Sequence, residues 1–316
     1  MESFDAKAII KEVGRGRDGA KDLARGDAET VFGAVLDGRI DPLQLGGLLI
    51  AFRIKGESNE ELAGLLAAIA ERSALIESPA ATIPVVLPSY NGARSLPNLV
   101  PLLAMRLARE AVPVLIQGVS EDPGRVTTRE VLEHLGVPAS ATGAEAATRL
   151  ARDRVAFLPI EALSAPLARM LALRWKLGLR SSGHTAAKML NPFRGPALRL
   201  VSVTHPDYLR RMREYFLSLD HGDVLLLRGA EGEAVAHPRR RLEMEWLHGG
   251  ESETLCLEPA QAEPELPPER DARITARWIE EALAGRRAVP PPIAFQVECC
   301  LRIAKSRAGA PSEARA

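Results

Sequence analysis

Five short runs rich in Val, Ile and Leu recur between residues 83 and 227: Ile83-Pro-Val-Val-Leu, Val112-Pro-Val-Leu-Ile, Val155-Ala-Phe-Leu, Leu198-Arg-Leu-Val-Ser-Val and Val224-Leu-Leu-Leu. Long stretches of helical texture separate them. Antiparallel neighbours can be joined by a two-residue turn, whereas strands joined through helices pair in parallel and need cover on both faces. The pattern therefore predicts an α/β domain around a largely parallel sheet. The first 75 residues carry no such runs and read as helices. Asp41-Pro42-Leu43-Gln44 sets a capping carboxylate before a proline at the first helical position. Ser58-Asn-Glu-Glu61 has the spacing of a capping box ahead of Leu62, Leu65, Leu66 and Ile69 on one helical face. We expect a small helical domain at residues 1–78, rejoined by helices within about 163–190, and a larger α/β domain at 79–316. Within the latter, the Pro- and Glu-rich passage 258–269 reads as an exposed loop, and the tail from Ser306 as frayed.

Charge narrows the partners less by its total than by its distribution. Lys plus Arg balance Asp plus Glu at 41 each, so the chain as a whole has no net attraction to a polyanion. Yet Ala162 to Pro206 contains no acidic residue, while Arg169, Arg174, Lys176, Arg180, Lys188, Arg194 and Arg199 all fall there. Leu242 to Glu269 is the reverse, with eight glutamates and no lysine or arginine. A local patch acts within about a Debye length, about 8–10 Å, whatever the net charge. The three cysteines, Cys256, Cys299 and Cys300, suggest neither a disulfide framework nor a zinc cluster, and the six histidines show no metal-ligand spacing. Charges interrupt the apolar residues of the N-terminal segment, so it reads neither as a signal peptide nor as a membrane span. These features lead us to expect a cytoplasmic protein with no membrane partner.

Gly33-Ala-Val-Leu-Asp-Gly-Arg-Ile-Asp-Pro-Leu-Gln, continuing through Ala51-Phe-Arg-Ile-Lys-Gly-Glu-Ser-Asn-Glu-Glu-Leu-Ala-Gly64, resembles the N-terminal signature of the anthranilate phosphoribosyltransferases and related nucleoside phosphorylases. The likeness continues at Val131 to Val137 and at Leu177 to Pro192, covering about residues 25 to 230. It implies the two-domain α/β fold of those enzymes. It also places Arg174 where the family recognises the anthranilate carboxylate.

The family's diphosphate motifs are mostly replaced. Its Gly-Thr-Gly-Gly-Asp loop is here Pro88-Ser-Tyr-Asn-Gly-Ala-Arg94, in which Pro88 has no N–H and Tyr90 is bulky, although such a loop needs small residues with exposed amides. Asn-Ile-Ser-Thr becomes Asn98-Leu-Val-Pro101, and Lys-His-Gly-Asn-Arg becomes Ile116-Gln-Gly-Val-Ser120. The Asp-Glu pair that holds magnesium falls near Gly229 to Val235, leaving Glu233 without its aspartate. These replacements are similar to the YbiB-type branch of the family. That likeness implies a homodimer binding single- and double-stranded nucleic acid with little sequence preference.

Two functions of different class follow. One is a non-sequence-specific DNA- or RNA-binding protein with no catalytic residue, no metal and no cofactor, its phosphate contacts drawn from Arg174, Lys176, Arg180, Lys188, Arg194, Arg210 and Arg211. The other is a glycosyl- or phosphoribosyltransferase of altered specificity, using phosphoribosyl pyrophosphate and requiring Mg. In the first reading Ser89, Asn91, Gly92, Asn98, Gly118 and Ser120 form a vestigial phosphate site that a small anion can still occupy; such residues are also ordinary turn formers. A charge run can equally be a solvated helix face. Trp175 is expected to pack against a neighbouring helix rather than to stack on a base, and Glu243 and Glu245 to neutralise Arg239 to Arg241.

Overall fold

The computed structural model describes residues 3–16, 18–79, 82–218, 222–258 and 264–307. Two helices of the N-terminal segment begin where the sequence supplies caps. Asp41 accepts the N–H groups of Leu43 and Gln44 at 2.9 and 3.3 Å. The Gln44 side chain does not complete that cap; it accepts the Ala6 N–H at 2.8 Å and so ties two helices together. Ser58 and Glu61 form the full reciprocal capping box.

Among the described residues the chain runs through α1 (Lys7–Val13), α2 (Arg25–Leu36), α3 (Pro42–Lys55), α4 (Asn59–Glu71), β1 (Val85–Ser89), α5 (Val100–Arg109), β2 (Val114–Gly118), α6 (Thr128–His134), α7 (Gly143–Asp153) and β3 (Val155–Pro159). It continues through α8 (Ile160–Leu163), α9 (Ala165–Ala172), α10 (Arg174–Leu177), α11 (Ser182–Met189), β4 (Leu198–Ser202), α12 (Pro206–Ser218) and β5 (Val224–Leu227). The last elements are β6 (Leu242–His248), β7 (Glu251–Leu257), α13 (Ala272–Leu283) and α14 (Pro291–Arg307). Two compact units result, residues 1–75 with 160–190 and residues 76–159 with 191–316.

The helical unit is organised by the α2–α4 contact. A Cβ added at Gly64 would lie 2.4 Å from the Arg25 carbonyl oxygen, so only glycine lets the two helices approach this closely. Glu61, fully buried, accepts the Leu23 N–H at 2.8 Å and pairs with Lys55 at 2.7 Å. The Lys-Gly-Glu-Ser-Asn-Glu-Glu-Leu-Ala-Gly stretch is thus a packing device joining the end of α3, the start of α4 and the segment before α2.

The second unit holds a seven-stranded sheet in the order β3-β2-β1-β4-β5-β6-β7. Strands β1 to β5 are parallel, with Ser89 opposite Gly118, and are the five runs expected. Leu87, Ile116, Phe157, Leu200 and Leu225 are buried in its core beside residues of α5, α13 and α14. β6 and β7 add an antiparallel hairpin that the acidic composition of the segment conceals. Residues 264–270 form neither helix nor strand, and 259–263 of the expected loop lie outside the described residues. α14 ends at Arg307, and the rest of the tail from Ser306 also lies outside the described residues.

Candidate functional site

The loop after β1 faces carboxylates of its own chain. The N–H groups of Asn91 and Gly92 donate to one oxygen of Glu233 at 2.7 and 2.8 Å. Those of Arg94 and Ser95 donate to Glu231 at 2.6 and 3.0 Å. A turn that exposes successive backbone N–H groups is an anion nest, and here the anion is internal. Glu231 reaches this position with φ 53° and ψ 21°, left-handed backbone that a non-glycine residue adopts only at a cost. Burial pushes its carboxyl pKa up, but the amides of Arg94, Ser95 and Leu96 and the charge of Arg125 outweigh that, leaving it below the ordinary value.

The other expected phosphate residues are knitted together beneath this loop. Ser89 Oγ and Thr128 Oγ1 share a hydrogen bond of 2.7 Å, and Asn98 Nδ2 donates to Thr128 Oγ1 at 3.0 Å and to the Val126 carbonyl at 3.2 Å. Ser120 uses its carbonyl to accept from the Thr127 hydroxyl at 3.4 Å. Gly118 has a packing reason to be glycine, since a Cβ there would lie 1.9 Å from the Ser89 carbonyl oxygen. Ile116 lies fully buried where the family has its lysine. The magnesium the family implies does not fit. Gly232 separates the two glutamates, and N–H donors rather than ligand oxygens converge on their carboxylates. Among the described residues no group of three His, Cys, Asp or Glu side chains can hold a metal.

In the helical unit, Arg180, Arg174 and Lys188 all press electrostatically on His184, which caps α11 by accepting the Ser181 N–H on Nδ1 at 3.3 Å. Burial first, and then those three charges in that order, hold the His184 pKa down at about 3. Three of the expected phosphate contacts thus lie near enough for their charges to bear on His184. Lys176 is exposed on α10. The expectation for Trp175 is overturned: it is 56% exposed, with the Arg174 guanidinium 4.1 Å from its ring centroid. α10 is a single turn with no buried residue, so nothing draws the indole inward.

The remaining cations lie in other surroundings. Arg169 donates to the Leu36 carbonyl at 3.2 Å. Arg199 lies buried in β4 with its guanidinium 5.3 Å from the centre of the Phe216 ring, and burial pushes its pKa down to about 10. In the α/β unit Arg194 pairs with Glu77 at 3.2 Å and Arg210 with Glu214 at 3.3 Å, while Arg211 is half-buried on α12. Arg241 pairs with Glu243 and Glu258 as acidic neighbours would suggest, but Glu245 turns to Arg213 at 2.7 Å.

Comparison with known proteins places this arrangement. The YbiB protein of Escherichia coli (strain K12) is 41% identical over 301 residues, spanning 94% of each chain. This chain is a YbiB-type member of the anthranilate phosphoribosyltransferase-like family. Residues 7–73 match the helical bundle domain of a glycosyl transferase family. The anthranilate phosphoribosyltransferase of Desulfitobacterium hafniense (strain Y51) is 28% identical over 233 residues, 73% of this chain and 68% of that one. The solved anthranilate phosphoribosyltransferase of Thermus thermophilus shares the fold, with a TM-score of 0.72 at 22% identity over 96% of this chain and 90% of that one. The family's fold and helical signature are retained, whereas the amides at its cradle loop are taken by Glu231 and Glu233, 136 to 142 residues further along the chain.

Proposed function

We propose that this YbiB-type chain binds DNA or RNA without sequence preference, as a cytoplasmic homodimer, and works without a resident cofactor or metal. The observation that carries the reading is that Arg174, Lys176, Arg180 and Lys188 fall in one stretch free of acidic residues, with Lys176 and Trp175 exposed and the charges of Arg174, Arg180 and Lys188 all bearing on His184. Cations track a phosphate backbone, and an exposed aromatic face offers a stacking surface to any unpaired base. Neither element reads sequence. Arg194, Arg210 and Arg211 supply secondary contacts, each first exchanging or shedding its local environment.

The transferase alternative needs an anion cradle, and the loop's amides already hold Glu231 and Glu233. A diphosphate would have to displace two carboxylates of like charge. The reading is tested by fluorescence anisotropy with random-sequence single- and double-stranded DNA at two salt concentrations. Binding at low salt that falls steeply as salt rises is expected, and absence of binding at low salt overturns it.

A further inference from the structure

We propose that a cavity of about 740 Å³ at the carboxyl ends of β4 and β5 is a binding site for an organic phosphate monoester of mononucleotide size. Its place in the fold is the first argument. The chain builds the sheet outward from β1 through β2 to β3 on one side and, from β4, through β5 on the other, so the strand order reverses between β1 and β4. Ligands of open α/β sheets bind in the crevice outside the strand ends at such a reversal. Ser95 and Leu96, after β1, and Val203 and Thr204, after β4, line this cavity together. It lies within the α/β unit and owes nothing to the basic cluster of the helical unit. The volume falls within the range of about 300–1,000 Å³ usual for small-molecule sites.

The chemistry of the walls selects the ligand. Leu96, Val203, Leu209, Leu226 and Met244 supply apolar surface, which an inorganic anion would leave uncovered. The polar lining carries Arg228, Arg240, Arg241 and His237 against Glu231, Glu243 and Glu245. With His237 neutral the formal charges cancel, but their commitments differ. Glu231 is held by the amides of Arg94 and Ser95, Glu245 by Arg213, and Arg241 is shared between Glu243 and Glu258. Among the described residues Arg228 and Arg240 stand in no ion pair, and both are exposed. His237 accepts the Arg239 N–H on Nδ1 at 3.2 Å, so the neutral ring carries its proton on Nε2. Burial, followed by the charges of Arg240 and Arg239, keeps that ring neutral by lowering its pKa. Two uncommitted guanidinium forks and a ring N–H donor suit a phosphate monoester dianion, and the apolar walls suit the body attached to it.

A nucleoside 5′-monophosphate and the 5′-phosphorylated end of a nucleic-acid strand present the same chemistry. The test uses the full chain and titration calorimetry with 5′-AMP, adenosine and inorganic phosphate, and with short oligonucleotides bearing a 5′-phosphate or a 5′-hydroxyl. 5′-AMP is expected to bind about tenfold or more tighter than adenosine or inorganic phosphate, and the double variant Arg228→Ala, Arg240→Ala to lose about tenfold or more of that affinity. The substituted side chains are exposed, and circular dichroism verifies the fold. A preference for the 5′-phosphorylated oligonucleotide that the double variant abolishes assigns the site to strand ends; equal binding of the two oligonucleotides, with 5′-AMP still bound, assigns it to free nucleotides. No heat with millimolar 5′-AMP, or 5′-AMP affinity unchanged in the folded double variant, overturns the proposal.

Discussion

Glu233 reaches back 142 residues to satisfy two backbone N–H groups, a contact no local reading of the sequence can supply. The replacement of small residues by Pro88 and Tyr90 shows that the loop has changed. That its amides now hold carboxylates depends on the loop after β5 reaching past β4 to the loop after β1. Removing the side chain in Glu233→Ala strands both buried donors, and we expect a loss of about 2–4 kcal/mol in urea unfolding. Sulfate or pyrophosphate should raise the melting temperature of that variant more than that of the parent, because the nest is then vacant. Equal shifts in both proteins would show that the nest is not an anion site. His184 provides a second test at this scale. Its folded pKa of about 3 lies below the unfolded value of about 6.5, so the unfolded chain binds the extra proton between those limits. Its contribution is therefore intact above pH 6.5 and is lost as pH falls towards 3, with a slope of up to about 1.4 kcal/mol per pH unit. His184→Asn, which keeps an acceptor for the Ser181 N–H, should flatten the stability profile between pH 6 and 4. An identical profile in the variant would mean that His184 titrates normally.

At the level of elements, the five parallel strands and the caps of α3 and α4 were legible because each rests on contiguous residues: an apolar run, or a cap within four positions of its acceptors. β6 and β7 were not, because their glutamates outweigh their alternation. Leu242 and Met244 are buried on one face with Glu243 exposed between them, the alternation of a strand. Gly249 and Gly250, both with positive φ, mark the hairpin turn, and that pair was the signal available. Glycines serve two different purposes here. An added Cβ at Gly249 or Gly250 meets nothing within 4 Å, so alanine there costs only the backbone preference, about 1–2 kcal/mol per site. At Gly64 the same methyl falls within 3 Å of the backbone of α2, and Gly64→Ala must push two helices apart. A destabilisation of about 1–3 kcal/mol or more is expected in urea unfolding, relieved little by substitutions elsewhere. A neutral Gly64→Ala would mean that the α2–α4 contact is looser than the close approach implies.

For the molecule as a whole, a net charge of zero conceals a division of labour that neither composition nor fold class reveals. The acid-free window names seven cations, but the fold withdraws Arg199 into the sheet and turns Arg169 to a carbonyl. Arg174, Lys176, Arg180 and Lys188 all belong to the helical unit, where the Trp175 indole is exposed. If these contact backbone phosphate, replacing all four by alanine weakens binding to every sequence alike, because phosphates carry no base information. The salt dependence must change with it. Each lost contact to duplex DNA removes about 0.9 from the slope of log affinity against log salt, and each to a single strand about 0.7, since fewer counterions are released. Circular dichroism and sedimentation of the variant establish that fold and assembly persist, so that the slope reports contacts alone. Replacing Arg194, Arg210 and Arg211 instead should change the slope less, as Arg194 and Arg210 already face carboxylates that screen them. An unchanged slope in the folded four-residue variant, with DNA still bound, would move the interface away from α10 and α11 and leave their positive field to some other anion.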